Sequence, residues 1–236
     1  LTRGGASDSK WFFSADSARL YIAEDTSATA NIKLTIVDDG NVGIGLTPSS
    51  WQTISNSNAL QFYGSYVYNY RDTNLIIGNN AYYDGTWKYY KSSIGATKFN
   101  SGNGAFDFAV SSSGNADNAI TWIDALVIAN DGNVGIGITD PSSYDSNADN
   151  LVIGSIGAND KNGITIVGGD TDGRGAIYFA DTTQNSAGYI TYKHADNSML
   201  FGTSDATRIV IDSAGAIKFN AYDSTNQTGT PTYLLG

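Results

Sequence analysis

One pattern, written twice in full and once in worn form, limits what this chain can fold into. Residues 34–45 read Leu-Thr-Ile-Val-Asp-Asp-Gly-Asn-Val-Gly-Ile-Gly, and residues 126–137 read Leu-Val-Ile-Ala-Asn-Asp-Gly-Asn-Val-Gly-Ile-Gly. The worn copy, residues 209–219, reads Ile-Val-Ile-Asp-Ser-Ala-Gly-Ala-Ile-Lys-Phe. In each copy apolar residues alternate (Leu34 and Ile36, Leu126 and Ile128, Ile209 and Ile211), a polar turn with Gly comes next, and alternation resumes. A period of two places every second side chain on one side, so each copy predicts a β-hairpin with one buried face. Asp39-Gly40 alone fits a two-residue type I′ turn. Ala214 before Gly215 resists positive φ, so the three copies together favour a type I turn closed by a glycine bulge.

The glycines of the motif carry a second expectation. Gly43 and Gly45, like Gly135 and Gly137, leave the other face of the second strand without side chains. Gly in a strand often marks a close approach by another backbone. With the turn residues Gly40 and Gly132, these four are therefore candidate hairpin and interchain-packing glycines; the alternative is that the face merely tolerates Gly. The worn copy has Lys218 and Asn220 on that face, which predicts a wet surface there.

Composition agrees with a chain of many short strands. Of the 23 acidic residues only Glu24 is Glu, and the chain has 27 Gly and 15 Tyr. Asp belongs in caps and turns, whereas Glu favours helices. Aromatics at 12% and periodic apolar residues argue against disorder. The fold class expected is all-β, built of serial small sandwich or meander units. Net charge is −10 and the 13 basic residues are scattered singly, which disfavours nucleic acid or an anionic membrane as partner. No apolar run approaches the length of a membrane span, so no membrane insertion is expected. The chain opens at Leu1-Thr2-Arg3, without signal peptide or initiator Met, as a processed product or a piece of a longer chain would. The absence of Cys excludes disulfides and thiolate metal sites.

Spacing of the hairpins sets the expected domains. Gly40 and Gly132 lie 92 residues apart, and Gly132 and Gly215 lie 83 apart. A period that long means duplicated small domains in series rather than a tight solenoid. Residues 1–57 read as a partial N-terminal repeat ending in a hairpin and connector, 58–148 as a second repeat, and 149–236 as a third repeat with a C-terminal tail. Thr47-Pro48-Ser49-Ser50 and Asp140-Pro141-Ser142-Ser143 come after the first two hairpins and predict short helical or turn connectors. Within the repeats, strands are expected at 120–122 and 164–167 among others. Units of this size expose much of their surface when isolated, and pairing with identical neighbours would supply the missing burial.

The (Asp/Asn)-Asp-Gly-Asn-Val-Gly-Ile-Gly stretches, each trailed within a few residues by Pro-Ser-Ser, resemble repeats of tailed-bacteriophage tail fibres. Residues 84–89 and 115–127 are similar to another block of such fibres, as are residues 175–181 and 189–212. In those fibres the repeats commonly precede an endosialidase-type intramolecular chaperone, and residues 229–236 resemble the junction before it. The resemblance covers most of the chain. It implies an elongated parallel homotrimeric fibre on the outside of a virion, extracellular when it works. The partners implied are other phage tail proteins and a host surface polysaccharide or lipopolysaccharide.

No constellation points to catalysis, a metal or a cofactor. Nucleophilic triads need a base beside Ser or Cys, and the sole His, His194, sits in a turn-like Lys-His-Ala-Asp. Gly169-Asp170-Thr171-Asp172-Gly173 lacks the bidentate Glu and the repetition of a calcium motif. Glycoside hydrolysis needs only two carboxylates, so a tail-spike depolymerase using paired Asp remains an alternative, as does a bacterial surface adhesin. The best binding candidates are Tyr82, Tyr83, Trp87, Tyr89 and Tyr90, since aromatic rings with polar tips suit sugar stacking at a wet surface; the competing reading packs them between strands. The function expected is structural and receptor-binding, adhesion to a cell-surface glycan without enzymatic activity.

Overall fold

Alternating runs become strands here wherever a neighbouring run can complete the ladder. The computed structural model describes residues 11–24, 32–52, 56–157 and 159–220; the junction-like residues 229–236 lie outside these. The strands, in chain order, are β1 (Trp11–Ala15), β2 (Arg19–Glu24), β3 (Ile32–Val37), β4 (Val42–Ile44), β5 (Asn58–Phe62), β6 (Ser65–Tyr70), β7 (Asn74–Asn79), β8 (Ala81–Tyr83), β9 (Trp87–Tyr89) and β10 (Thr97–Gly102). They continue with β11 (Ala105–Val110), β12 (Ile123–Ile128), β13 (Val134–Ile136), β14 (Leu151–Ile153), β15 (Arg174–Phe179), β16 (Gly188–Lys193), β17 (Ser198–Thr203), β18 (Ala206–Ile211) and β19 (Ile217–Phe219). Among the described residues there is no α-helix, and the class is all-β. A twelve-stranded sheet runs in chain order from β1 to β7 and on through β10 to β14, β8 and β9 pair separately, and β15 to β19 form a five-stranded meander.

The repeats place sequence boundaries at 57/58 and 148/149, whereas contacts divide the chain into two units, Leu1–Gly163 and Ile164–Gly236. The first repeat joins the second inside one sheet, because β4 pairs in parallel with β5; β13 and β14 pair the same way.

All three motif copies form the expected hairpin, β3–β4, β12–β13 and β18–β19. In each the turn Gly donates to the carbonyl three residues back: Gly40 to Val37, Gly132 to Ala129 and Gly215 to Asp212. Those glycines have φ of 85°, 92° and 86°. That is the type I turn closed by a glycine in left-handed conformation. An Asp carboxylate tightens each turn by accepting a backbone N–H: Asp39 from Asn41, Asp131 from Asn133, Asp212 from Ala214.

The side-chain-free face of the motif is a crossing point. A Cβ on Gly43 would overlap the Leu46 carbonyl and sit 2.8 Å from Pro48 Cδ, and one on Gly135 would overlap the Ile138 carbonyl. The backbone that approaches is the chain's own connector, folding back toward the next strand. Asn41 and Asn133 latch that next segment. Asn41, fully buried, accepts the Ala59 N–H at 2.7 Å, and Asn133 donates to Asp149 at 3.0 Å. The worn copy has Ala216 for the Asn and Lys218 for the crossing Gly, and β19 is the last strand of its sheet among the described residues.

Three expected elements differ. The connector at 47–50 is not helical, because the Gln61 side chain takes the Ser49 N–H at 2.7 Å and holds the segment extended across the sheet; its counterpart is a single 3-10 turn, Pro141–Ser143. Residues 120–122 make no strand: Ile120 donates to the Trp87 carbonyl and Ala119 forms one isolated bridge with Lys88. Residues 164–167 alternate but find no ladder, and Ile164, Ile166 and Val167 stay exposed.

The two faces of the large sheet are served differently. On one, Tyr66, Tyr68, Gln61, Ala59, Ile76 and Ala109 are buried. On the other an unbroken cross-strand row runs Ala15, Leu20, Ile36, Val42, Leu60, Val67, Ile77, Phe99, Phe108, Leu126, Ile136, Ile153. Every member is apolar, yet Leu20, Leu60, Ile77, Phe108 and Ile136 are exposed. The smaller sheet repeats this with Ile177, Ile190, Phe201, Ile209 and Phe219, of which Ile177 and Phe219 are exposed.

Gly135→Ala is expected to destabilise the fold by about 2–3 kcal/mol, because the added methyl meets backbone rather than a side chain that can turn away. Gly132→Asn, at a position with open space where only φ matters, is expected to cost less than about 1 kcal/mol. Urea unfolding midpoints of the two variants check the order.

Candidate functional site

The densest chemistry in the chain lies where β8 and β9 fold over the covered face of the large sheet. β8 contacts β6, and Trp51, at the end of the extended connector, slides beneath. Trp51 is held there because its Nε1–H donates to Gln61 Oε1 at 3.0 Å. Its ring lies 5.1 Å from Tyr66 and 4.9 Å from Tyr68. Trp87 is the hub: rings of Trp51, Tyr66, Tyr68, Tyr83 and Trp122 lie 5.3–6.3 Å from it. Tilted and edge-on contacts of this kind suit the ring quadrupole.

The five aromatic candidates therefore divide. Tyr82 and Tyr89 are buried in the core, which corrects their assignment as sugar-stacking surfaces: a ring packed into the core offers no face to a ligand. Tyr83 and Trp87 pack against that core, half-buried, and Trp87's neighbours are other rings. Tyr90, also half-buried, stands outside the cluster, its backbone N–H donating to Asn80. Of the glycine candidates, Gly40 and Gly132 make turns, Gly43 and Gly135 admit the connector, and Gly137 approaches the Gly154 carbonyl at 2.5 Å from a would-be Cβ; Gly45, at φ 77°, faces the Tyr63 ring.

Burial raises the phenols. Tyr68 is pushed up to about 12 by loss of solvent, Tyr66 is raised further by the same cause, and Tyr82 by burial and then by its hydrogen bond to Asp117 (2.6 Å). The Tyr66 hydroxyl is buried without a hydrogen-bond partner, wedged over Gly78, its register partner. The shifted carboxylates all move the other way. Asp16, Asp131, Asp145, Asp160, Asp181 and Asp196 are lowered, chiefly by hydrogen bonds from nearby backbone or side-chain donors in turns. His194 lies in the β16–β17 turn, its ring edge-on to Tyr192.

Two concavities flank the cluster. One, of about 340 Å³, is bounded by Tyr89, the 112–114 segment, Asn118, Ala119, Thr121 and Ile123. The other, of about 300 Å³, is lined by Lys98, Asp107 and Asp124 among others, and Lys98 sits 3.6 Å from Asp107 and over the Trp122 ring. Sequence reasoning missed both. Their residues come from polar loops and strand ends with no periodic signal, and Trp51 and Trp122 reach the cluster from connectors rather than from the aromatic run itself. No protein-family model and no curated protein matches the chain.

Trp87→Ala is expected to lower stability by about 2–3 kcal/mol, below the range for emptying a fully buried aromatic site because Trp87 is half-buried, read by thermal unfolding. Tyr66→Phe is expected to leave stability unchanged or raise it by about 1 kcal/mol, since it removes a buried hydroxyl that bonds to nothing. The raised phenols also set a pH dependence. In the unfolded chain they ionise near 10, in the folded chain later, so their contribution is full below pH 10 and is lost as pH rises toward 12. Alkaline unfolding should fall in that window, and Tyr66→Phe should move it upward.

Proposed function

We propose that this chain is a structural and receptor-binding segment of a phage tail fibre, assembling as a parallel homotrimer and adhering to a host surface glycan from outside the virion. The unbroken apolar row across the twelve-stranded sheet is the observation that carries this reading. Monomeric proteins rarely leave apolar patches of that extent uncovered. Covering each half-exposed Leu, Ile or Phe contributes about 1 kcal/mol, and the face carries no charge along its central row to oppose a second copy. Closed rotational symmetry is how identical chains usually bury repeated surfaces, and three weak sites would then act together through avidity. In this reading the hairpin repeats are the building unit, and the sandwich-like packing of β8 and β9 on the sheet faces outward.

The aspartates fit a structural role better than catalysis. A glycosidase acid needs a raised pKa, whereas the shifted carboxylates here are all lowered by turn hydrogen bonds. Adhesion without cleavage is therefore favoured over a tail-spike depolymerase.

Sedimentation equilibrium is expected to give the mass of three chains, and Phe108→Glu, which puts a charge in the middle of the row, is expected to give monomer or aggregate. A stable wild-type monomer would contradict the assembly. Incubation with surface polysaccharide from bound cells should leave its chain length unchanged; shortened chains would mean a depolymerase.

A further inference from the structure

The 340 Å³ concavity differs from its neighbour in what lines it. Its walls hold hydroxyls and an amide, from Ser112, Ser113, Asn118 and Thr121, together with the apolar surface of Ile123 over the buried Tyr89, and no Asp, Glu, Lys, Arg or His. Its volume falls in the range of small-molecule sites, which combine apolar walls with a few convergent polar groups. Among the described residues, no hydrogen bond within the chain engages the side chains of Ser113, Asn118 or Thr121. Each hydroxyl can donate and accept, and the amide offers both functions on one plane.

The loop that carries these groups is nonetheless fixed. Tyr89 donates its N–H to the Asn118 carbonyl at 3.1 Å and its hydroxyl to the Ser112 carbonyl at 2.7 Å. Asp117 N–H returns a bond to the Tyr89 carbonyl at 2.9 Å, Ser93 N–H reaches Gly114, and Ala116 N–H reaches the Ser92 hydroxyl. Gly114 lacks a side chain because the Tyr89 ring occupies that space. Free polar groups on a loop already held in place lower the ordering cost of binding.

The geometry points to a monosaccharide subsite here, selective for an uncharged hexose unit of a surface glycan; this rests on the adhesin reading above. A hexose presents hydroxyls around its rim and C–H groups on its faces, matching neutral donors and acceptors beside the exposed Ile123 side chain. A uronic or sialic acid would find no cation in the pocket and a chain of net charge −10 around it.

Saturation-transfer NMR on the full chain, with the methyl glycosides of glucose, galactose and mannose against glucuronate and sialic acid, tests the proposal. A neutral glycoside should bind and the acidic sugars should bind at least about tenfold more weakly. Asn118→Ala, Ser113→Ala and Thr121→Val should each weaken that binding about three- to tenfold, the worth of one hydrogen bond, with the melting temperature unchanged. Preference for acidic sugars, or undiminished binding in all three variants, would overturn the subsite. If wild-type protein still binds bacterial cells in that case, the adhesin reading survives it. If it binds neither cells of any strain tested nor any sugar, both fall.

Discussion

Packing of the tyrosine and tryptophan layer onto one face of the twelve-stranded sheet is the interaction on which the rest of the first unit depends. A sheet has two faces to cover, and the chain supplies its own cover for one. Trp51 arrives on a connector pinned by Gln61, and Trp87 arrives on the short pair β8–β9. Together with Tyr66 and Tyr68 they close that side. The opposite face is as apolar along its central row, and among the described residues no such layer covers it.

The connector works because of two glycines and two asparagines. The chain must cross back over its own hairpin to add a parallel strand, and a side chain at Gly43 or Gly135 would stand in its way. Asn41 and Asn133 then tie the turn to the incoming segment. The worn hairpin lacks both devices, with Lys218 at the position of the crossing Gly, and among the described residues β19 is the last strand of its sheet. A motif that reads as one repeated hairpin thus has two parts. The turn is common to all three copies, and among the described residues the crossing is seen in the first two.

The proposed division of labour derives from the two faces. The bare apolar face suits identical copies, and the loops around the aromatic layer are left to meet ligand. In that arrangement the aromatic rings act one step behind the surface. Tyr82 and Tyr89 tie the loop down through Asp117, Ser112 and Asn118, and its Ser113, Asn118 and Thr121 side chains are exposed.

Period-two alternation and turn chemistry made the hairpins, their turn type and the all-β class legible from residues alone, because both are local: φ preferences and side-chain parity act within a few positions. The crowding at Gly43 and Gly135 was legible too, though not its source, since Gly reports that something approaches without naming it. The aromatic candidates illustrate the limit. Tyr82 and Tyr89 read like surface rings until a loop further along the chain closes on them, with Asp117 taking the Tyr82 hydroxyl and Gly114 packed on the Tyr89 ring. Which rings are buried, which loop side chains converge on a concavity, and where an alternating run such as 164–167 fails to find a partner are decided by contacts between distant segments. Burial is a property of the assembled sheet, and no local pattern encodes it.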